Sequence, residues 1–159
     1  MNTQTIKKVL LLIISIVGIN LIGGLSAVFA GDIASKYAQL TKPPLSPPPP
    51  TFGIVWPILY CLIGISLYFL ITSRSTSIKK TALILFTVQL FVNFIWSIIF
   101  FAGNAFWFGF IVIIVLDILV GYLIIYAYQI NKYAACLLVP YFIWILFATY
   151  LTLGTAILN

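Results

Sequence analysis

Lys42-Pro43-Pro44-Leu45-Ser46-Pro47-Pro48-Pro49-Pro50 holds six prolines in nine residues, and Trp56-Pro57 and Tyr60 follow closely. Proline fixes φ and lacks a backbone N–H, so this stretch predicts neither regular helix nor sheet. It reads as a stiff, extended, polyproline-like segment between two long apolar runs. Neighbouring helices in a bundle need only a few residues to join them. A connection over 32–51, this long and this stiff, predicts a lid over a ligand pocket.

The runs around it decide the class. The chain has 159 residues, 64% of them hydrophobic and 6% charged, with a mean hydropathy of +1.23. A soluble domain carries roughly 25% charged residues. Eight basic and two acidic side chains cannot build a water-soluble surface, so the chain reads as one integral membrane domain. The net charge of +6 reflects a shortage of acids. With no basic run interleaved with aromatics, it does not predict a nucleic-acid partner. Histidine is absent, which removes the commonest metal and haem ligand and the usual general base. Cys61 and Cys136 stand alone in apolar runs, with no CxxC and no zinc spacing; they read as small hydrophobes. No metal site is predicted.

A membrane-crossing helix needs about 20 apolar residues. Five segments qualify, at about 9–31, 52–71, 81–102, 106–129 and 134–158. The predicted fold is therefore an all-α bundle of five transmembrane helices, with the Pro-rich loop between the first two. Lys7-Lys8, an apolar run and Val28-Phe29-Ala30 imitate a signal peptide. The run is nevertheless longer than the usual hydrophobic region of about 7–15 residues, so it is expected to stay as a helix. Gly23, Ala27 and Gly31 form a small-residue stripe suited to close packing, inside the bundle or in a dimer. Lys7, Lys8, Arg74, Lys79, Lys80 and Lys132 fall on one side, and Lys36 and Lys42 on the other. This bias predicts a cytoplasmic N-terminus and an outward-facing lid. The Arg74, Lys79 and Lys80 cluster reads as a topology signal or as a contact for anionic membrane lipid.

Polar and aromatic residues within the spans fall on single helix faces. Trp56 and Tyr60 are one such pair. Gln89, Asn93, Trp96 and Phe100 form a second stripe, and Tyr141, Trp144, Ala148 and Leu151 a third. Unsatisfied amides are costly in hydrocarbon, so Gln89 and Asn93 are expected to face the bundle interior, with their aromatic neighbours. Such a pocket suits a flat, largely apolar ligand held by stacking and a few hydrogen bonds. Lys36, Lys42 or Tyr37 is placed to meet a carboxylate at its mouth. Trp107 and Tyr133 fit the interfacial aromatic belt instead. Asp117 is the only acid within a span. It reads either as a transporter's proton or cation site, or as a hydrogen-bonded acid fixing helix packing beside Gly121.

Taken in order, Lys-Pro-x-x-x-Pro-Pro at 42–48, Trp-x-x-x-Tyr at 56–60, the polar-aromatic stretch 89–101 and Pro-Tyr-x-x-Trp-x-x-Phe-Ala-Thr at 140–149 resemble the tryptophan-rich sensory protein family. That family is the prokaryotic branch of the translocator proteins, or peripheral-type benzodiazepine receptors. The resemblance implies a five-helix bundle in a prokaryotic cell membrane, often a homodimer, with a cavity capped by the first loop. It implies binding of tetrapyrroles such as protoporphyrin IX and of isoquinoline carboxamide or benzodiazepine-type ligands, with no required cofactor. By matching position, Tyr37, Pro47, Trp56, Tyr60, Asn93, Trp96, Tyr141, Trp144, Phe147 and Ala148 would line or close that cavity. Family members said to degrade porphyrin in light would make Trp56 and Trp144 the catalytic pair. This chain departs from the pattern at Leu45, where the family usually has tryptophan. It also departs after Tyr150, where no basic residue follows to complete the family's sterol motif.

Overall fold

The computed structural model describes residues 2–74 and 76–159. Its helices are α1 (Thr3–Ala30), α2 (Ile33–Gln39), α3 (Pro50–Thr72), α4 (Ser77–Ser97, continued by a π-helical turn at Ile98–Ala102), α5 (Phe106–Ile130) and α6 (Lys132–Leu158). Five of them, all but α2, are long and apolar enough to cross a membrane. The protein is thus an all-helical membrane bundle, as the hydropathy predicts. Four of the five spans begin earlier than the apolar runs do, while α5 begins at Phe106 as expected. Polar first turns join the helices because side chains cap them: Asn2 accepts from the Gln4 N–H and Thr76 from the Lys79 N–H. Such caps satisfy backbone donors that the helix itself leaves unpaired.

Around the bundle the helices run α1, α3, α6, α5, α4 and back to α1. Helices in lipid gain little from apolar burial, so close approach and interhelical hydrogen bonds hold them together. Both devices are present. A Cβ at Gly64 of α3 would lie 2.6 Å from the Ile16 Cα of α1. Ser66 donates to the Ala134 carbonyl at 2.8 Å, joining α3 to α6. Tyr141 of α6 donates to Gln89 Oε1 of α4 at 2.9 Å. Ser26 of α1 bonds the Phe94 carbonyl and the Ser97 hydroxyl of α4. The predicted small-residue stripe on the first helix is broken. Gly23 lies beneath the Tyr60 ring within the bundle, whereas Gly31 is the C-cap of α1 at φ +81, a conformation glycine adopts freely.

The connection between α1 and α3 is not wholly extended. Its first part forms α2, with Asp32 as N-cap accepting from the Ser35 N–H at 3.1 Å. Pro49 and Pro50 do not belong to the extended segment either, since Pro50 opens α3. Proline fits there because a first-turn residue has no intrahelical use for its missing N–H. Residues 41–48 lie over the end of α6. The Asn159 side chain bonds both the N–H and the carbonyl of Thr41, at 3.0 and 2.8 Å. Tyr150 donates to the Pro44 carbonyl at 2.8 Å. A Cβ at Gly154 would lie 2.5 Å from the Pro43 ring, so that glycine is the seat on which the lid rests.

Candidate functional site

Beneath α2 and the Pro49-Pro50 end of the connection lies a cavity of about 490 Å³, walled by α1, α3, α4 and α6, with none of residues 41–48 in its lining. That is within the ordinary range for small-molecule sites. Tyr37, Trp56, Tyr60, Asn93, Trp96, Trp144 and Ala148 line it, so residues distant in sequence meet at one cavity. Trp56 stacks on Tyr60 with centroids 5.3 Å apart. Phe52 bridges α2 to α6, edge-on to Tyr37 at 4.9 Å and to Trp144 at 6.0 Å. Trp96 stacks on Phe100 at 5.4 Å.

The remaining residues implied by the resemblance stand behind this first layer. Tyr141 is fully buried, bonded to Gln89, and edge-on to Trp56 at 6.4 Å. It supports the wall rather than forming it. Pro47 accepts the Tyr37 hydroxyl at 3.1 Å and so fastens the lid to α2. Phe147 packs against Trp144, centroids 5.7 Å apart, and is not part of the cavity lining.

The cavity is apolar with a sparse set of polar groups. Asn20 and Ser26 come from α1, Asn93 and Ser97 from α4. Two buried indole N–H groups, those of Trp96 and Trp144, have no hydrogen-bond partner among the described residues. Unpaired buried donors are costly, and both belong to cavity-lining side chains. Tyr37, outside the membrane-spanning helices, has its phenol pushed up by burial, partly opposed by the Ser46 hydroxyl.

The lysines expected at the mouth are engaged elsewhere. Lys36 donates to the Ala30 carbonyl at 3.0 Å and caps the end of α1. Lys42 reaches the carbonyls of Tyr37, Ala38 and Leu40 and lies over the Tyr37 ring. Cations suit exposed helix C-termini, where carbonyls lack intrahelical donors. Neither lysine lines the cavity. Asp117 is also outside it: Thr149 of α6 donates to its Oδ2 at 2.7 Å across the α5–α6 contact. Trp107 and Tyr133 are exposed near helix ends, as a belt requires.

Several lining residues were missed from sequence. Asn20, Ser26 and Ser97 carried a usable signal, being polar groups within spans. Phe101 did not. The π-turn inserts an extra residue per turn and lets adjacent Phe100 and Phe101 both be buried, with Phe101 in the cavity wall.

Comparison with known proteins agrees with this geometry. The profile of the TspO/MBR family matches residues 10–158. The Tryptophan-rich protein TspO of Archaeoglobus fulgidus is 40% identical over 153 residues, covering 96% of this chain and 99% of that protein. Its namesake in Chlorobaculum tepidum is 33% identical over 124 residues, 77% and 78% of the two chains. The human Translocator protein is 32% identical over 122 residues, 75% of this chain and 72% of its own. A bundle of five membrane helices, a proline-rich lid and an aromatic cavity thus coincide with a match along nearly the whole sequence, and the chain belongs to the TspO/MBR family.

Proposed function

We propose that this membrane protein is a receptor or sensor that holds a tetrapyrrole of the protoporphyrin IX type in the cavity beneath the lid. The observation that carries the reading is the wall itself. Trp56, Tyr60, Trp96 and Trp144 present ring surface on three different helices around about 490 Å³. Flat aromatic ligands are recognised by offset stacking and edge contacts on such rings. The amides and hydroxyls of Asn20, Ser26, Asn93 and Ser97 in the lining suit a ligand bearing carbonyl or carboxylate acceptors, and the smaller isoquinoline carboxamides meet the same description. A metal-free macrocycle fits the residues better than haem, because the chain has no histidine to serve as an axial ligand. The basic bias in the loops supports a cytoplasmic N-terminus and a lid facing outward.

The test is a dark titration of purified protein with protoporphyrin IX, followed by tryptophan fluorescence, alongside Trp56→Phe and Trp144→Phe. Saturable quenching weakened by both substitutions is expected. Equal, unsaturable quenching in all three proteins would reject the site.

A second reading, light- and oxygen-dependent porphyrin degradation, draws support from one observation: Trp56 and Trp144 share the cavity, with Phe52 packed against Trp144 between lid and wall. Illumination of the loaded samples separates the two readings. Product formed by the wild type and lost in Trp144→Phe at full occupancy favours the enzyme. No product in light favours the receptor. Transport through Asp117 has no comparable support, since that carboxylate lies at the α5–α6 contact, away from the cavity.

A further inference from the structure

We infer that ligand reaches the cavity sideways, from the hydrocarbon of the membrane, through the seam between α1 and α3. The two seams that α1 makes differ. Toward α4 it is clasped by Ser26 on the Phe94 carbonyl and the Ser97 hydroxyl, with Phe29 packed edge-on to Phe94. Toward α3 it is closed only in its middle stretch. There the Ile16 backbone meets Gly64, the Asn20 amide reaches Cys61 Sγ at 3.6 Å, and Gly23 lies under Tyr60.

Nearer the lid, the same faces of the two helices continue as Gly24 and Ala27 on α1 and as Pro50, Gly53 and Pro57 on α3. All five line the cavity and all five are exposed. None carries a side chain long enough to bridge the seam. A Cβ built at Gly24 or at Gly53 would meet nothing within 4 Å. The residues just outside the seam are exposed and apolar: Leu21, Leu25 and Val28 on α1, Ile54 and Ile58 on α3. Apolar exposure on spanning helices faces lipid, so the opening faces lipid too. The lid, by contrast, is fastened to α6 and to α2 by the bonds of Asn159, Tyr150 and Tyr37. The route therefore selects amphiphiles already dissolved in the bilayer, and Gly24 and Gly53 set its width.

This inference rests on the proposed tetrapyrrole reading, and the experiment separates the two. Wild type, Gly24→Leu and Gly53→Leu, each on the full chain in lipid bilayers, are mixed rapidly with protoporphyrin IX and followed by tryptophan quenching. Leucine fits the open space at both positions, so folding is expected to survive. Narrowing a passage slows loading and release together, whereas lost affinity would slow loading and speed release: both rates are expected to fall about tenfold or more. Unchanged rates in both variants, or rates raised instead by Gly154→Ala in the lid seat, would overturn the lateral route.

A second measurement needs no porphyrin. In a Trp107→Phe background the remaining tryptophans, Trp56, Trp96 and Trp144, all line the cavity. Phospholipids brominated on the acyl chain are expected to quench them, and Gly24→Leu with Gly53→Leu to relieve that quenching. Quenching that ignores the glycine substitutions rejects the portal even if porphyrin never binds. Absent porphyrin saturation with glycine-sensitive bromolipid quenching rejects the ligand and keeps the portal.

Discussion

Gly154→Ala isolates the coupling between lid and bundle. The new Cβ would stand 2.5 Å from both Cβ and Cγ of Pro43 and 3.3 Å from its Cδ. Carbon atoms rest at about 3.5–4.0 Å, so the two must separate by roughly 1 Å. The proline ring cannot rotate away as a flexible side chain would. Its segment is tied down by the Asn159 bonds to Thr41, the Tyr150 bond to Pro44 and the Ser46 bond to the Pro43 carbonyl. A shift of that size takes the Asn159 and Tyr150 bonds from about 2.8–3.0 Å past the limit of about 3.5 Å for a useful hydrogen bond. Each such bond contributes about 0.5–1.5 kcal/mol net, so the lid should loosen by about 2–3 kcal/mol. The open form then rises by roughly 30- to 150-fold, at 1.4 kcal/mol per factor of ten.

The helix itself does not suffer, because Ala exceeds Gly in helix propensity by about 1 kcal/mol. Thermal stability of the bundle should therefore hold or rise while the lid loosens. Hydrogen exchange reads this directly. The Thr41 amide, which donates to Asn159 Oδ1, should lose protection, and amides in the middle of α6 should not. Thr41 protection equal to wild type would refute the seat, whatever happened to ligand binding.

Gly64→Ala drives a Cβ to within 2.6 Å of the Ile16 backbone, which no rotamer relieves; overpacking of this kind costs about 1–3 kcal/mol, to be seen as a lower unfolding midpoint in detergent. Tyr141→Phe strips the donor from buried Gln89 Oε1, whose amide nitrogen already has no partner among the described residues. A loss of about 1–3 kcal/mol follows, with a shift in Trp56 emission, and unchanged stability would argue that the pair is not desolvated. Lid behaviour should also depend on pH through Tyr37. Burial raises its phenol above the ordinary value, so its contribution is complete below the unfolded pKa of about 10 and is lost as pH rises through the higher folded one. Only the neutral phenol can donate to the Pro47 carbonyl. The stability of wild type should fall relative to Tyr37→Phe in that alkaline window, and parallel pH profiles would refute the linkage.

Much of this arrangement is legible in the sequence because membrane solvation is a coarse filter. Runs of apolar residues long enough to span must be helices, since lipid offers no partner to a free backbone group. The amides of Gln89 and Asn93 must turn inward for the same reason, and that fixes which face of α4 meets the cavity. The prolines within 42–48 keep the lid out of regular helix and sheet through their covalent geometry, although a turn at Pro44-Leu45, with Leu45 at φ 66, interrupts the extended course expected of it. These are local constraints, written residue by residue.

What only the tertiary structure decides depends on which partner arrives opposite a given face. Gly23 and Gly154 look alike in sequence, yet one receives the Tyr60 ring and the other the Pro43 ring. Tyr141 and Trp144 lie on one stripe, but α4 supplies Gln89 to one and α3 supplies Phe52 to the other, so one becomes support and the other wall. Lys36 and Lys42 carry charge that reads as ligand-binding until the ends of α1 and α2 appear beside them as unpaired carbonyls. The open stretch of the α1–α3 seam is of the same kind. Small side chains at Gly24 and Gly53 permit either close contact or a gap, and in the structure a Cβ at either position meets nothing within 4 Å.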